Sequence, residues 1–196
     1  DRWIEAEQER RGVVLDPEQK AAVHVAVTSP FAIVAGGAGV GKTTVLRTIA
    51  EAATTFGRAV HLMALAGRAA VRMREATGRP ATTIAAFLRG VEDGTMAPTA
   101  GSLLVIDEAS MLDLPTIYRI MRRTPEGCRI LLVGDPGQLP PIGFGLVMHA
   151  LVERPEIPRV ELVRVHRQTE DTGIPVVARA VRAGEVPHWL GDVRQG

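Results

Sequence analysis

Short, largely apolar runs alternate along the chain with longer stretches whose apolar positions recur at helical spacing. Residues 31–35, 59–64, 103–106, 129–133 and 159–163 read as strands. Runs 31–35, 103–106 and 129–133 are apolar enough to need cover on both faces, as in a parallel sheet flanked by helices. Residues 4–11, 17–27, 42–55, 66–76, 82–88, 113–123 and 146–153 read as helices, with a further one near 175–183. The clearest start is at Asp16, with Pro17 in the first helical position and Gln19 three residues after the cap, the spacing of a capping box. Ser29-Pro30 ends that helix, and Asp113 with Pro115 opens another. Between Gly134 and Gly145 three prolines and four glycines predict a rigid loop. Strand and helix alternate about five times, which predicts an α/β fold: a parallel β-sheet with helices on both faces and right-handed crossovers.

Composition narrows the function classes. The 196 residues carry 23 basic and 22 acidic side chains, a net charge of +1, which excludes a polybasic coat but permits a local basic groove. Aromatics are 4%, too few for a base-stacking sheet. The lone cysteine, Cys128, excludes an intrachain disulfide and a cysteine zinc cluster, and is expected as a small apolar residue beside a strand. No apolar run approaches the roughly 20 residues of a membrane span, and the charged first residues do not resemble a secretory leader, so a cytoplasmic setting is expected. The chain opens at Asp1 without an initiator Met, as a piece of something longer would. His24, His61, His149, His166 and His188 show no metal-ligand spacing and are expected at ordinary surface or edge positions. Only Lys20 and Lys42 are lysines; the other 21 basic residues are arginine. Against that bias Lys42 stands out, because it falls within a glycine-rich segment.

That segment, Gly36-Gly37-Ala38-Gly39-Val40-Gly41-Lys42-Thr43, fits G-x-x-x-x-G-K-[ST] between a strand and a helix. Glycines let backbone N–H groups turn inward around phosphate oxygens, and the new helix adds its own unpaired N–H groups. Gly37, Ala38, Gly39, Val40, Gly41, Lys42, Thr43 and Thr44 are thus the candidate nucleotide-binding residues. Lys42 is suited to the β- and γ-phosphates, and the Thr43 hydroxyl to Mg²⁺. A second strand, at 103–106, ends in Asp107-Glu108. Asp107 is a candidate Mg²⁺ ligand, and Glu108 a candidate base to orient and deprotonate the attacking water. A third motif, Gly134-Asp135-Pro136-Gly137-Gln138-Leu139-Pro140-Pro141, follows the next strand and offers Gln138 as a γ-phosphate sensor. Phe144, just beyond it, offers a ring to core or interface packing or to a base.

In this order and spacing, residues 36–44, 106–113 (Ile-Asp-Glu-Ala-Ser-Met-Leu-Asp) and 134–141 resemble motifs I, II and III of superfamily 1 helicases. The RecD-like branch, which includes the motors of conjugative relaxases, is the nearest in pattern. Residues 15–22 resemble its Q motif, in which Gln19 would read the adenine edge. Residues 160–168 resemble motif IV, in which Arg167 would reach the γ-phosphate. The resemblance implies a RecA-like P-loop NTPase fold over residues 15–165, with a lead-in helix at 1–14. Residues 166–196 would lead toward a second RecA-like domain absent from this chain. It also implies ATP and Mg²⁺ as cofactors, single-stranded DNA as partner and 5′→3′ movement. Without the arginine that a second domain contributes, hydrolysis is expected to be slower by about 10³–10⁵.

Two positions depart from the family pattern. Residues 64–70 read Ala-Leu-Ala-Gly-Arg-Ala-Ala, with Ala66 where relatives carry a threonine that donates to the DNA backbone. Ala85-Ala86 stand where His-Arg is common. Arg68 could still touch a phosphate, or pair with solvent or Glu75. These losses leave open a different class, a nucleotide-binding switch or interaction module without helicase activity. A small-molecule kinase shares the P-loop but would not need Gln138 and Arg167.

Overall fold

The computed structural model describes residues 2–165 and Gly184. Residues 1–165 and 166–196 form separate units. Arg167, Trp189 and the helix expected near 175–183 lie outside the described residues.

Six strands make one all-parallel sheet: β1 (Phe31–Gly36), β2 (Val60–Ala64), β3 (Ala81–Thr83), β4 (Leu103–Asp107), β5 (Arg129–Gly134) and β6 (Arg159–Leu162), in the order β3-β2-β4-β5-β1-β6. The apolar runs explain why both faces are covered. Within β1, Ala32 and Val34 face one core and Ile33 and Ala35 the other. Leu103 and Val105 of β4 likewise oppose Leu104 and Ile106. The first core is closed by α1 (Arg2–Arg11), α2 (Pro17–Thr28), α3 (Lys42–Thr55) and α4 (Gly67–Thr77). The second is closed by α5 (Ile84–Glu92), α6 (Leu114–Arg123) and α7 (Val147–Val152).

Local signals place the helix starts. Asp16 Oδ1 accepts from Gln19 N–H at 2.8 Å while Gln19 Oε1 accepts from Asp16 N–H at 3.2 Å, the complete capping box. Asp113 caps α6 by accepting from Thr116 N–H at 2.9 Å. One element departs from expectation. Residues 81–83 are not the start of a helix but the short edge strand β3, aligned with Leu62–Ala64 of β2. Three residues carry too little pattern to announce a strand, and pairing with β2 decides their conformation. Thr83 then caps α5, its Oγ1 accepting from Ala86 N–H at 3.1 Å.

His61 of β2 is not an ordinary surface residue. Its Nε2 is buried without a hydrogen-bond partner, and its ring meets Phe87 edge-on with centroids 5.6 Å apart. Burial holds its pKa below the usual histidine value. The folded state therefore binds fewer protons than the unfolded chain. The stabilising contribution is complete above the unfolded pKa of about 6.5 and is lost as pH falls below it. His61→Leu is expected to flatten the fall in Tm between pH 7 and pH 5; an unchanged slope would show that His61 does not contribute to it.

Candidate functional site

Three loops leave the carboxyl ends of β1, β4 and β5, which are neighbours in the sheet, so their motifs converge on one edge, where open α/β sheets bind ligands. β5 lies between the other two, and Gly134 stands level with Ala35. The structure thereby brings the segments carrying Lys42, Asp107, Glu108 and Gln138 together from positions about 100 residues apart.

The β1 loop is shaped by its glycines. Gly39 and Gly41 adopt φ of +82° and +80°, a region that favours glycine. At Gly36 a Cβ would lie 2.8 Å from Val40 Cγ2 and 3.0 Å from Leu162 Cβ, so a side chain there would push the loop open. α3 starts at Lys42 with no side-chain cap, which leaves the first-turn N–H groups, including those of Thr43 and Thr44, to an anion. Lys42 Nζ donates to the carbonyls of Gly36 (2.6 Å) and Gly37 (2.7 Å), so its ammonium sits inside the loop. Burial pushes the Asp107 carboxyl up, opposed by the Glu108 N–H and by the charges of Lys42 and Arg72. Lys42 is thus electrostatically linked to a carboxylate two strands away.

Asp107 Oδ1 accepts from Glu108 N–H at 2.9 Å. This bond accompanies a left-handed turn: Glu108 has φ +57° and ψ +33°, the sole non-glycine residue with positive φ among the described residues. Such a conformation costs on the order of 1–3 kcal/mol and tends to occur at functional positions. Arg72 of α4 donates from Nη2 to Glu108 Oε1 at 2.9 Å. No sequence signal pointed to Arg72, because the pair spans 36 residues.

The β5 loop is organised by Asp135, which is buried. Its Oδ1 accepts from Gly137 N–H at 3.0 Å and its Oδ2 from Gln138 Nε2 at 3.3 Å. With its NH₂ group engaged there, exposed Gln138 has its carbonyl oxygen left to meet a water proton. The loop also leans on α6: Leu114 N–H donates to Phe144 O at 2.8 Å, and a Cβ on Gly143 would collide with Asp113. Phe144 is 86% exposed, so it is not a core residue of this unit; Leu139 and Ile142 are exposed with it. His149 supports the loop from behind, its Nε2 2.9 Å from Pro136 O.

Gln19 is buried, and its carbonyl oxygen is engaged in the capping box. The capping box uses one of the two lone pairs of that oxygen and none of the NH₂ donors. Its neighbour Glu18 accepts from Val163 N–H at 2.8 Å and Arg164 N–H at 3.4 Å, pinning the start of the 160–168 segment beside α2. On the far side of the edge, the β2–α4 turn exposes Leu65, Ala66, Gly67 and Arg68, with Ala66 as a helix cap lacking any side-chain bond.

The donor set suits Mg²⁺ better than a metal needing a full protein cage. Among the described residues no three His, Cys, Asp or Glu side chains cluster as ligands. One carboxylate and one hydroxyl, Asp107 and Thr43, are what such an ion takes when waters and phosphates complete its shell. Also among the described residues, no helix is long and apolar enough to cross a membrane.

Comparison with known proteins agrees with this layout. A family model described as an AAA domain matches residues 14–195. The chain is 34% identical over 198 residues to the ATP-dependent RecD2 DNA helicase of Deinococcus radiodurans, covering 99% of this chain and 27% of that protein. It is 33% identical over 210 residues to the RecBCD enzyme subunit RecD of Mycolicibacterium smegmatis, covering 91% of this chain and 38% of the relative. The chain thus spans less than two fifths of the length of either relative. A crystal structure of Pif1 helicase from Candida albicans superposes with a TM-score of 0.67 at 22% identity, over 90% of this chain and 46% of that one, a likeness in fold.

Proposed function

The chain belongs to the AAA domain family, and from that premise we propose that it is the ATP-hydrolysing motor domain of a RecD-like DNA helicase, working in the cytoplasm. In the whole protein it would couple ATP hydrolysis to 5′→3′ movement along single-stranded DNA. The observation that carries this reading is the meeting of the Lys42, Asp107–Glu108 and Gln138 loops on one sheet edge.

The N–H groups of residues 37–44 and the Lys42 ammonium would cradle the phosphates, and Thr43 with Asp107 would hold Mg²⁺. Bound there, the ion would neutralise charge on the transferred phosphoryl group. Glu108 would align the attacking water and take its proton. Gln138 would orient that water or sense the γ-phosphate. Gln19 would read the adenine edge. Arg167, in the motif IV segment outside the described residues, would reach the γ-phosphate.

Single-stranded DNA is the proposed partner, and a second RecA-like domain beyond this chain would complete the ATP site. The switch without motor activity is not favoured, since one relative aligned over nearly the whole chain is named a DNA helicase. The test is steady-state ATP turnover of the natural protein with and without single-stranded DNA. At least tenfold stimulation is expected on the motor reading; turnover indifferent to DNA would overturn it.

A further inference from the structure

At the amino ends of β1 and β2, on the sheet edge opposite the phosphate loop, the start of α1 and the ends of α2 and α3 frame a pocket of about 240 Å³. Trp3, Val23, Val27, Ala52 and Phe56 give it apolar walls, Arg58 is the arginine that lines it, and no acidic residue does. The Trp3 and Phe56 rings stand 6.2 Å apart, tilted by 52°, and Phe56 is 57% exposed, so part of this wall meets solvent. The cationic part of the pocket lacks an acceptor. Arg58 Nε is buried without a hydrogen-bond partner. Arg129 adjoins it, its Nη1 donating to the carbonyl of the pocket residue Thr28 at 2.6 Å. Burial, and then the charge of Arg58, hold the Arg129 pKa below its ordinary value, so the two guanidinium groups repel each other. Among the described residues neither arginine has a carboxylate partner. A buried donor left unpaired and two like charges without a counter-ion both favour an incoming anion. Size narrows what carries it. Small-molecule sites usually run from about 300 to 1,000 Å³, so this pocket suits one large side chain better than a cofactor. Aromatic residues and arginine are also the types that anchor contacts between proteins.

We infer that this pocket docks a short acidic segment of another protein, one apolar side chain packing against Trp3, Val27 and Phe56 while a neighbouring carboxylate takes Arg58. The carboxylate supplies the missing acceptor, and the planar guanidinium can give it two parallel N–H bonds. Further acidic residues in the segment are drawn to the Arg58–Arg129 pair and set its direction across the pocket. A nucleic acid would bring the same charge, but its bases are polar at their edges, and Val23, Val27 and Ala52 offer those edges nothing. The pocket lies at the opposite sheet edge from Lys42, Asp107 and Glu108, so docking leaves the nucleotide site open. The inference therefore does not depend on the motor reading above.

The probe is a fluorescein-labelled, end-capped peptide with one phenylalanine between two pairs of aspartates, titrated with the natural protein while its anisotropy is followed. Binding with a Kd of about 10⁻⁵–10⁻⁴ M is expected, the weak association that one anchor side chain can support. Arg58→Ala and Phe56→Ala should each weaken it about tenfold, the loss usual for an anchor residue. Arg58→Lys should recover part of the affinity, because it keeps the charge and loses the fork. Arg122→Ala, at an exposed position of α6 on the other face of the sheet, should bind as the natural protein does. ATP turnover should be unchanged in Arg58→Ala. Two further peptides need no variant to fold: serine in place of the phenylalanine, or lysines in place of the aspartates, should abolish binding to the natural protein. No binding up to about 1 mM peptide would overturn the inference. So would affinity indifferent to Arg58 and Phe56, or equal affinity for the peptide without phenylalanine. Displacement of the peptide by oligo-dT would give the pocket to nucleic acid and overturn it as well.

Discussion

Lys42→Ala is expected to lower ATP turnover by at least about 10²–10³, the loss typical of removing one preorganised charge donor from a transition state. Nucleotide affinity should fall as well, because the ammonium also neutralises charge in the ground state. The geometry explains why a second basic residue cannot take over. The ammonium lies within the loop, 2.6 and 2.7 Å from the Gly36 and Gly37 carbonyls, where a compact, rotatable donor fits. A planar guanidinium fits that curve poorly, so Lys42→Arg should rescue little. That argument also gives a reason for one of the two lysines in a chain that otherwise uses arginine. Retention of turnover within tenfold in Lys42→Ala would sink the phosphate-cradle assignment. Circular dichroism and Tm would separate that result from misfolding.

Glu108→Gln is expected to leave nucleotide binding within a few-fold of the natural protein and to cut hydrolysis by about 10²–10⁴, the usual contribution of a positioned general base. Glutamine preserves the side-chain length and can still accept from Arg72, but cannot take a proton from water. It also meets the same left-handed backbone requirement that Glu108 already bears. A loss confined to kcat would assign the carboxylate to the chemical step. Equal losses in binding and turnover would instead give Glu108 a role in holding the nucleotide. The half-buried Asp107 carboxyl provides a contrast: burial pushes its pKa up, and the role proposed for it is to hold a cation.

Strand runs such as Leu-Leu-Val-Ile and the box Asp16-Pro17-Glu18-Gln19 carry their structural meaning within a few residues, because burial on both faces and capping are local demands. α3 follows the expected range 42–55 throughout, since a glycine cap and a phenylalanine-glycine stop bracket an unbroken helical pattern. β3 failed to announce itself because a three-residue strand exists only by pairing with β2. For Phe144 the structure decides one of the alternatives: the loop is turned by the Leu114 contact and by Gly143 against Asp113, which keeps the ring out of the core and leaves it exposed for an interface or a base.

The sequence by itself determined the chemistry offered: a phosphate loop with its lysine, adjacent carboxylates after a buried strand, and a proline-stiffened loop with a glutamine. These are short-range patterns, imposed by what a phosphate, a cation and a helix start require of neighbouring residues. Tertiary structure alone decided their order in space. It set β5 between β4 and β1, brought the charge of Lys42 to bear on Asp107, and turned Glu108 through a left-handed bend toward Arg72. The physical reason is range. A parallel sheet joins strands through crossovers of tens of residues, and nothing local in Arg72 or Glu108 marks them as partners before those crossovers close.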